Sequence, residues 1–290
     1  MQSTRIKGLT IAALGVLFIV PDALLVKITS VEPVVFLFWR GLLLAFSFLV
    51  ISSVRYRARL GAEIRRCGWK GAFCAVAFGL SQLGFVMGMK NTAAGNVLVI
   101  LNTSPVIAAL IAWLVWKEAL PWRTWMVILV CVAGATLMAL GEWGRGDPLG
   151  LIMAGVAATA LALNLNVARS KPGSDMSVVL MFGALLVAGT AALMGGAVML
   201  SLRDALFIAL LCLFFLPVAC VLIQIGPRYI PAAEVSLMLL LETILGSFLV
   251  WLFLGEVPTS LSLTGGAIVF SALVAHGWIE VKRYRQTRTA

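Results

Sequence analysis

KNTAAGNVLVILNTSPVIAALIAWLVWKEALP, residues 90–121, decides the fold, because the chain returns to it 138 positions later as RYIPAAEVSLMLLLETILGSFLVWLFLGEVPT, residues 228–259. No gap is needed to align the two. Ala94 answers Ala232, Val97 answers Val235, Trp113 answers Trp251 and Leu114 answers Leu252, while Glu118 and Glu256 close the two apolar runs. If each duplicated unit holds an odd number of membrane spans, the second copy lies upside down relative to the first. That is an inverted repeat, the architecture of many secondary transporters.

The composition around these stretches is far from that of a soluble domain, with 62% of residues hydrophobic and 12% charged. No polar segment is long enough for a separate water-soluble domain. The net charge of +10 does not point to nucleic acid, because the basic residues sit in short runs between apolar segments, where they act as orientation signals. The five cysteines, Cys67, Cys74, Cys131, Cys212 and Cys220, show no CxxC spacing and four lie within apolar runs. They read as small core residues, and no metal or other cofactor is expected. Arg5 and Lys7 ahead of an apolar run resemble a signal peptide. The run continues to about Ile28 without a small-residue cleavage site and reads as an uncleaved first span.

A helix needs about 20 mainly apolar residues to cross the hydrocarbon core. Ten segments qualify: about 8–29, 33–54, 70–89, 93–116 and 122–140, then about 149–168, 176–200, 204–225, 232–254 and 260–280. Lys90-Asn91-Thr92 serves as the turn between the third and fourth; its counterpart, residues 226–231, is a clearer breaker. The expected fold is an all-α membrane protein of ten transmembrane helices in two inverted five-helix repeats, residues 1–145 and 146–290. With a cytoplasmic amino terminus, seventeen of the 22 basic residues fall inside, and only Lys27, Lys90, Arg145 and Arg203 fall outside. Arg40 lies within a span. That asymmetry places both termini in the cytoplasm. The loop Lys117-Glu118 to Arg123 is basic and its repeat counterpart, residues 255–259, has no basic residue, so the charges give the inversion directly.

Charged groups inside spans are expensive and mark function by default. Asp22 follows Pro21 in the first span and Arg40 lies in the second. Their midpoint is Val31, in the connecting turn, so antiparallel neighbours hold both at one depth, about 10 Å below the outer surface. An ion pair or shared hydrogen-bond network is expected. Two readings of it stand: structural neutralisation, or a pair for which cargo or a proton competes. Glu242 is mid-span in the ninth helix, with Glu234 near its start, and is the single best candidate for proton coupling or for a cargo amine. Its alternative is a carboxyl bonded to a neighbouring helix.

Uncharged amides make up the rest of the candidate set. Gln82 shares a face with Phe78 and Phe85, and the fourth span carries Thr92, Asn96, Asn102 and Thr103. Asn164 and Asn166 lie about 200° apart on one helix and cannot face the same cavity. Gln224 is near the inner end of the eighth span. Such a set suits a polar or amphipathic organic molecule better than an ion path, with interhelical hydrogen bonding as the alternative for each. Pro21, Pro105 and Pro217 lie inside spans and can break or kink them. Trp113, Trp116, Trp122, Trp125 and Trp251 read as interfacial anchors.

Two five-span repeats, each with a fourth helix ending near a Glu, resemble the drug/metabolite transporter superfamily and its EamA-type carriers. The residues that carry the resemblance are Trp39-Arg40-Gly41, Ser104-Pro105 with Lys117-Glu118, and Leu241-Glu242 with Gly255-Glu256. The sequence departs from the pattern at Thr243, where a Pro often follows the Glu. The resemblance implies a secondary carrier moving small organic metabolites (amino acid-like, nucleoside-like or vitamin-like), often outward, across a bacterial inner membrane. It also implies a central cavity on helices that bear Gln82, Asn96, Asn102, Asn164, Gln224 and Glu242. Alternating access, with protons as a coupling partner through Asp22 and Glu242, is the expected mechanism.

Other classes fare worse. A primary pump needs a GxxxxGK[ST] phosphate loop, which is lacking. A membrane-embedded enzyme needs a catalytic constellation, and the chain has one histidine, His276, and no clustered acids. A flippase for a lipid or lipid-linked molecule remains as the alternative, since the cavity can open sideways. Cargo, direction and oligomeric state are not written in the residues.

Overall fold

The computed structural model describes residues 2–92, 94–117, 122–141, 148–171, 173–255, 259–261, 263–268, 271–272 and 275. Glu118, Glu256, His276 and nearly half of the expected last span therefore lie outside the described residues, as do the side chains of Asn96, Trp116 and Cys131. Helix follows helix throughout. The first half holds α1 (Gln2–Ile19), α2 (Pro21–Ile28), α3 (Pro33–Tyr56), α4 (Leu60–Asn91), α5 (Ala94–Leu101), α6 (Ser104–Trp116) and α7 (Trp122–Gly141). The second holds α8 (Pro148–Arg169), α9 (Leu180–Leu193), α10 (Leu202–Leu210), α11 (Leu216–Ile225) and α12 (Ala232–Leu254).

Among the described residues five stretches are long and apolar enough to cross a membrane: Arg5–Ile28, Pro33–Asn91, Pro148–Arg169, Met176–Leu193 and Leu202–Arg228. The chain is an integral membrane protein on that ground. The second stretch, of 59 residues, would reach nearly 90 Å as one helix, about three times the hydrocarbon thickness. It reverses at Arg57, whose φ is 46°, and at the single 3-10 turn Arg57–Arg59, giving α3 and α4. Shorter apolar helices include Ser104–Val115 and Leu241–Leu254.

Two segments depart from the sequence expectation. Residues 60–67, expected as loop, are helical, and Gly68 (φ 59°, ψ −151°) kinks them away from the rest of α4. Only glycine takes that backbone conformation without strain. The seventh expected span ends at Leu193, and residues 194–200 are not helical, beginning with Gly195 at φ 87°. The break expected at Lys90–Thr92 falls at Thr92, which is extended, while Lys90 and Asn91 still belong to α4.

Proline accounts for the three breaks inside apolar stretches, because it lacks an N–H and crowds the preceding turn. Pro21 opens α2 straight after α1, Pro105 sits in the first turn of α6 beyond a break at Asn102-Thr103, and Pro217 sits in the first turn of α11. Ahead of Pro217 the helix widens into a π turn, Leu211–Phe215. The Ser47 hydroxyl donates to the Cys212 carbonyl within that turn at 2.9 Å, so the loosened backbone is satisfied from α3.

The principal helix contacts are α4 with α8, α3 with α9, α1 with α11, α4 with α9, α6 with α8 and α6 with α12. One core gathers Phe36, Leu44, Phe48, Phe78, Phe85, Leu180 and Leu211; a second gathers Val16, Ile128, Leu165, Ile223 and Met238. The breaks in α1–α2 and α11 border both.

Candidate functional site

Arg40 is the largest fully buried side chain, 1% exposed, and Asp22 is 2% exposed. Its Nη1 and Nη2 donate to the two Asp22 carboxylate oxygens at 2.6 and 2.8 Å, a bidentate pair. The Gln82 side-chain carbonyl accepts from Nε at 3.0 Å and from Nη2 at 2.6 Å. Phe36 and Phe85 present ring faces with centroids 5.9 and 5.7 Å from the guanidinium carbon. α2, α3 and α4 are thus tied at one point by a cation whose nitrogens all have partners. Gln82, expected as a cargo ligand, is engaged here by the arginine.

Glu242 on α12 is 8% exposed and within electrostatic range of Asp22 and Arg40. No hydrogen bond or ion pair reaches it among the described residues. Gly246, one turn on, lies against Ala23 and the Val20 carbonyl, which seats this part of α12 on the α1–α2 break. Beside Glu242, the Thr243 hydroxyl donates to Asn102 Oδ1 at 2.9 Å, linking α12 to the α5–α6 break. The Nδ2 of Asn102 and the Nε2 of Gln224 are buried donors without a hydrogen-bond partner among the described residues. Cys220, one turn from Gln224 on α11, is within electrostatic range of Arg40, Asp22 and Glu242. Buried polar groups are nearly always paired, so the orphan donors of Asn102 and Gln224 and the unbonded Glu242 carboxylate are chemically conspicuous.

The remaining candidates sit elsewhere. Asn164 donates to the Cys74 carbonyl at 2.8 Å, and the Cys74 thiol returns a bond to the Asn164 carbonyl at 3.7 Å, so the pair clasps α8 to α4. Asn166 donates to Ala108 at 3.0 Å, clasping α8 to α6 on the opposite side. Asn96 falls on α5, with its side chain outside the described set. Among the described residues no group of three or more His, Cys, Asp or Glu stands close enough to hold a metal ion.

The structure also shows residues that the sequence reading passed over, at the two ends of the bundle. At the basic end, buried Asp175 accepts from Tyr56 Oη at 2.5 Å, from the Ser177 amide and hydroxyl at 3.0 and 2.7 Å, and pairs with Arg55 at 3.1 Å. Arg228 approaches the same carboxylate at 3.8 Å. Burial works to raise the Asp175 pKa, but the bonds from Tyr56 and Ser177 and the Arg55 charge outweigh it, and the group sits below its ordinary value. Arg5 pairs with buried Glu234 at 2.6 Å, Lys70 donates to the Ser170 hydroxyl at 3.0 Å, and Lys171 donates to the Arg66 carbonyl.

At the far end, Asp204 accepts from the Ser30 amide at 3.2 Å and its hydroxyl at 3.3 Å, and from the Ser201 hydroxyl at 2.8 Å. Lys90 donates to the Thr29 carbonyl at 2.8 Å, and Trp39 Nε1 donates to the Val198 carbonyl at 2.8 Å. Ser201-x-x-Asp204 is a helix-start pattern visible in the sequence. Its partner Ser30, 174 positions away, leaves no local trace.

Comparison with known proteins points one way. Residues 6–140 match the EamA-like transporter family. The chain is 24% identical over 219 residues to Uncharacterized transporter YdfC of Bacillus subtilis (strain 168), covering 66% of this chain and 67% of that one. A solved crystal structure superposes with a TM-score of 0.75 at 16% identity, over 96% of this chain and 99% of the other, and so shares the fold.

Proposed function

Residues 6–140 are EamA-like, and from that premise we propose that the chain is a secondary active transporter that moves a small organic metabolite by alternating access. The family match and the transporter-named relative support a membrane transporter. The observation that carries the finer reading is the buried site itself. Asp22, Arg40 and Gln82 close one side, while Asn102 and Gln224 bury donor atoms that the described protein leaves unbonded, and the Glu242 carboxylate has no hydrogen bond from a described residue. A polar organic cargo supplies what those atoms lack.

The packing supports two inverted repeats, residues 1–145 and 146–290, with ten spans. A methyl group on Gly84 would lie 2.5 Å from the Met153 carbonyl oxygen. Moving each position by 138 gives Leu222 and Gly15, and a methyl on Gly15 would lie 3.1 Å from Leu222 Cβ. Likewise Gly88 faces Gly150 and Val97 at 3.4 and 3.3 Å, while Gly226 faces Ala12 and Val235 at 3.8 and 3.1 Å. Contact for contact, the second set is the first displaced by 138. At helix level the same exchange turns α4–α8 into α11–α1 and returns α3–α9 and α6–α12 to themselves. α4 starts at the basic end and α11 finishes there, so the two halves run in opposite senses.

The end contacts are alike in topology, although a shift of 138 does not carry one residue pair onto the other. At the basic end a carboxylate joins the loop after α8 to the end of α3; at the far end one joins the loop after α2 to the start of α10. Each is the first loop of one half held to the corner between second and third spans of the other. Alternating access opens one of these at a time by rocking the halves about the site between them. The basic end is cytoplasmic by the charge rule, in a bacterial inner membrane, and the resemblance to EamA-type carriers favours export. Protons couple through Glu242, with Asp22 and Arg40 within range of its charge.

Uptake into proteoliposomes of pooled amino acids, nucleosides and vitamins, read by mass and set beside Glu242→Gln, tests this. One class entering with the native chain and failing with the variant identifies cargo and site together. Entry of nothing with either protein sinks the metabolite reading and puts lipid translocation next. Transport unmoved by collapsing the proton gradient at constant membrane potential removes proton coupling alone.

A further inference from the structure

On the flank of the bundle, between α4 and α9, runs an apolar furrow of about 850 Å³, kept open by Gly71, Ala72 and Gly189 and lined by Phe182, Leu186 and Leu193. It follows α9 from Val179 to Leu193, about 21 Å at helical rise. That exceeds the roughly 15 Å hydrocarbon depth of one leaflet. Ile64 and Gly68 bring its mouth to the basic end. Arg57 and Arg59, in the turn before α4, and Arg65, next in sequence to Ile64, lie at the same basic end, are exposed and enter no ion pair among the described residues, whereas Arg66 is held by Glu63 at 2.9 Å. Trp69, next to the Gly68 kink, is 74% exposed, as suits a side chain at the headgroup level.

We infer that this furrow binds an anionic phospholipid, with an acyl chain between α4 and α9 and the phosphate among Arg57, Arg59 and Arg65. A second copy of this chain is a poor occupant. Two copies sharing a membrane and related by a twofold axis along its normal bring the same arginines to the same depth, like charge beside like charge. A lipid phosphate reverses the sign of that interaction, and guanidinium groups suit it geometrically. The site is independent of the buried polar site and of what the protein transports.

The test uses the full chain in nanodiscs of equal phosphatidylglycerol and phosphatidylcholine, with retained lipid counted by native mass spectrometry. Phosphatidylglycerol is retained in preference. The Arg57→Gln, Arg59→Gln, Arg65→Gln variant loses that preference by about fivefold per cation. Gly189→Phe, at a position where an added Cβ meets open space, expels the lipid while the melting temperature stays at the native value. Equal retention of the two lipids by the native chain overturns the inference, as does retention untouched by Gly189→Phe. A native dimer that Gly189→Phe splits overturns it in favour of a second copy. Displacement by glycerol phosphate alone overturns the acyl-chain part.

Discussion

The two sides of the buried site treat their polar atoms in opposite ways. On one side Asp22, Arg40 and Gln82 bond to one another across α2, α3 and α4 so that every guanidinium nitrogen has a partner. On the other, Asn102 and Gln224 bury orphan donors and Glu242 buries a carboxylate that nothing described bonds. A buried group left unpaired costs about 1–3 kcal/mol. A closed network is what holds helices together. An open one is what a passing molecule can close, and then leave.

That contrast breaks or sharpens under substitution. Arg40→Leu strands the Asp22 carboxylate in the core and costs about 3–5 kcal/mol in an unfolding titration, while adding Asp22→Leu recovers most of it. A single-variant cost below about 1 kcal/mol would show that the closed side is not structural. Next comes the basic end, where Asp175→Asn weakens several bonds to one charged acceptor and costs about 2 kcal/mol. The sign with pH follows from its lowered pKa. The stabilisation is complete above the ordinary value of 3.8 and disappears as pH falls through the lower folded value, so this group leaves melting flat from pH 5 to 8. A melting curve in which Asp175→Asn matches the native chain at pH 7 would remove the latch.

Glu242→Gln belongs to the open side and inverts the pattern. Transport falls by about tenfold or more, and unfolding moves by less than the roughly 1.4 kcal/mol that tenfold represents. A large loss of stability with transport preserved would put Glu242 on the closed side. The smallest effect is at a clasp: Asn164→Ala costs about 1 kcal/mol by loosening α8 from α4 and leaves transport at the native rate. A change in substrate affinity there would return Asn164 to the site.

Much of this was legible in the residues because helices impose strict local geometry. Equal distance from the turn at Val31 put Asp22 and Arg40 at one depth, and the structure joins them. A 200° separation put Asn164 and Asn166 on different faces, and they grip different helices. Proline chemistry located all three breaks. The π turn before Pro217 and the helical run 60–67 were not legible, since both depend on what α4 and α11 meet. Neither were Asp175 and Asp204, whose partners stand 119 and 174 positions away.

The sequence by itself determined that this is a helical membrane protein, the approximate reach of most described helices, the resemblance to EamA-type carriers and the pairing of Asp22 with Arg40 across the turn at Val31. Period and hydrophobicity are local quantities, readable wherever a helix runs. Only the tertiary structure decided which amide is spent on a neighbour and which is kept free. It gave Gln82 to Arg40, Asn164 to Cys74 and Thr243 to Asn102, and left Gln224 and Glu242 open. A side chain's depth follows from its own helix, whereas its partner follows from how distant helices are rotated against one another.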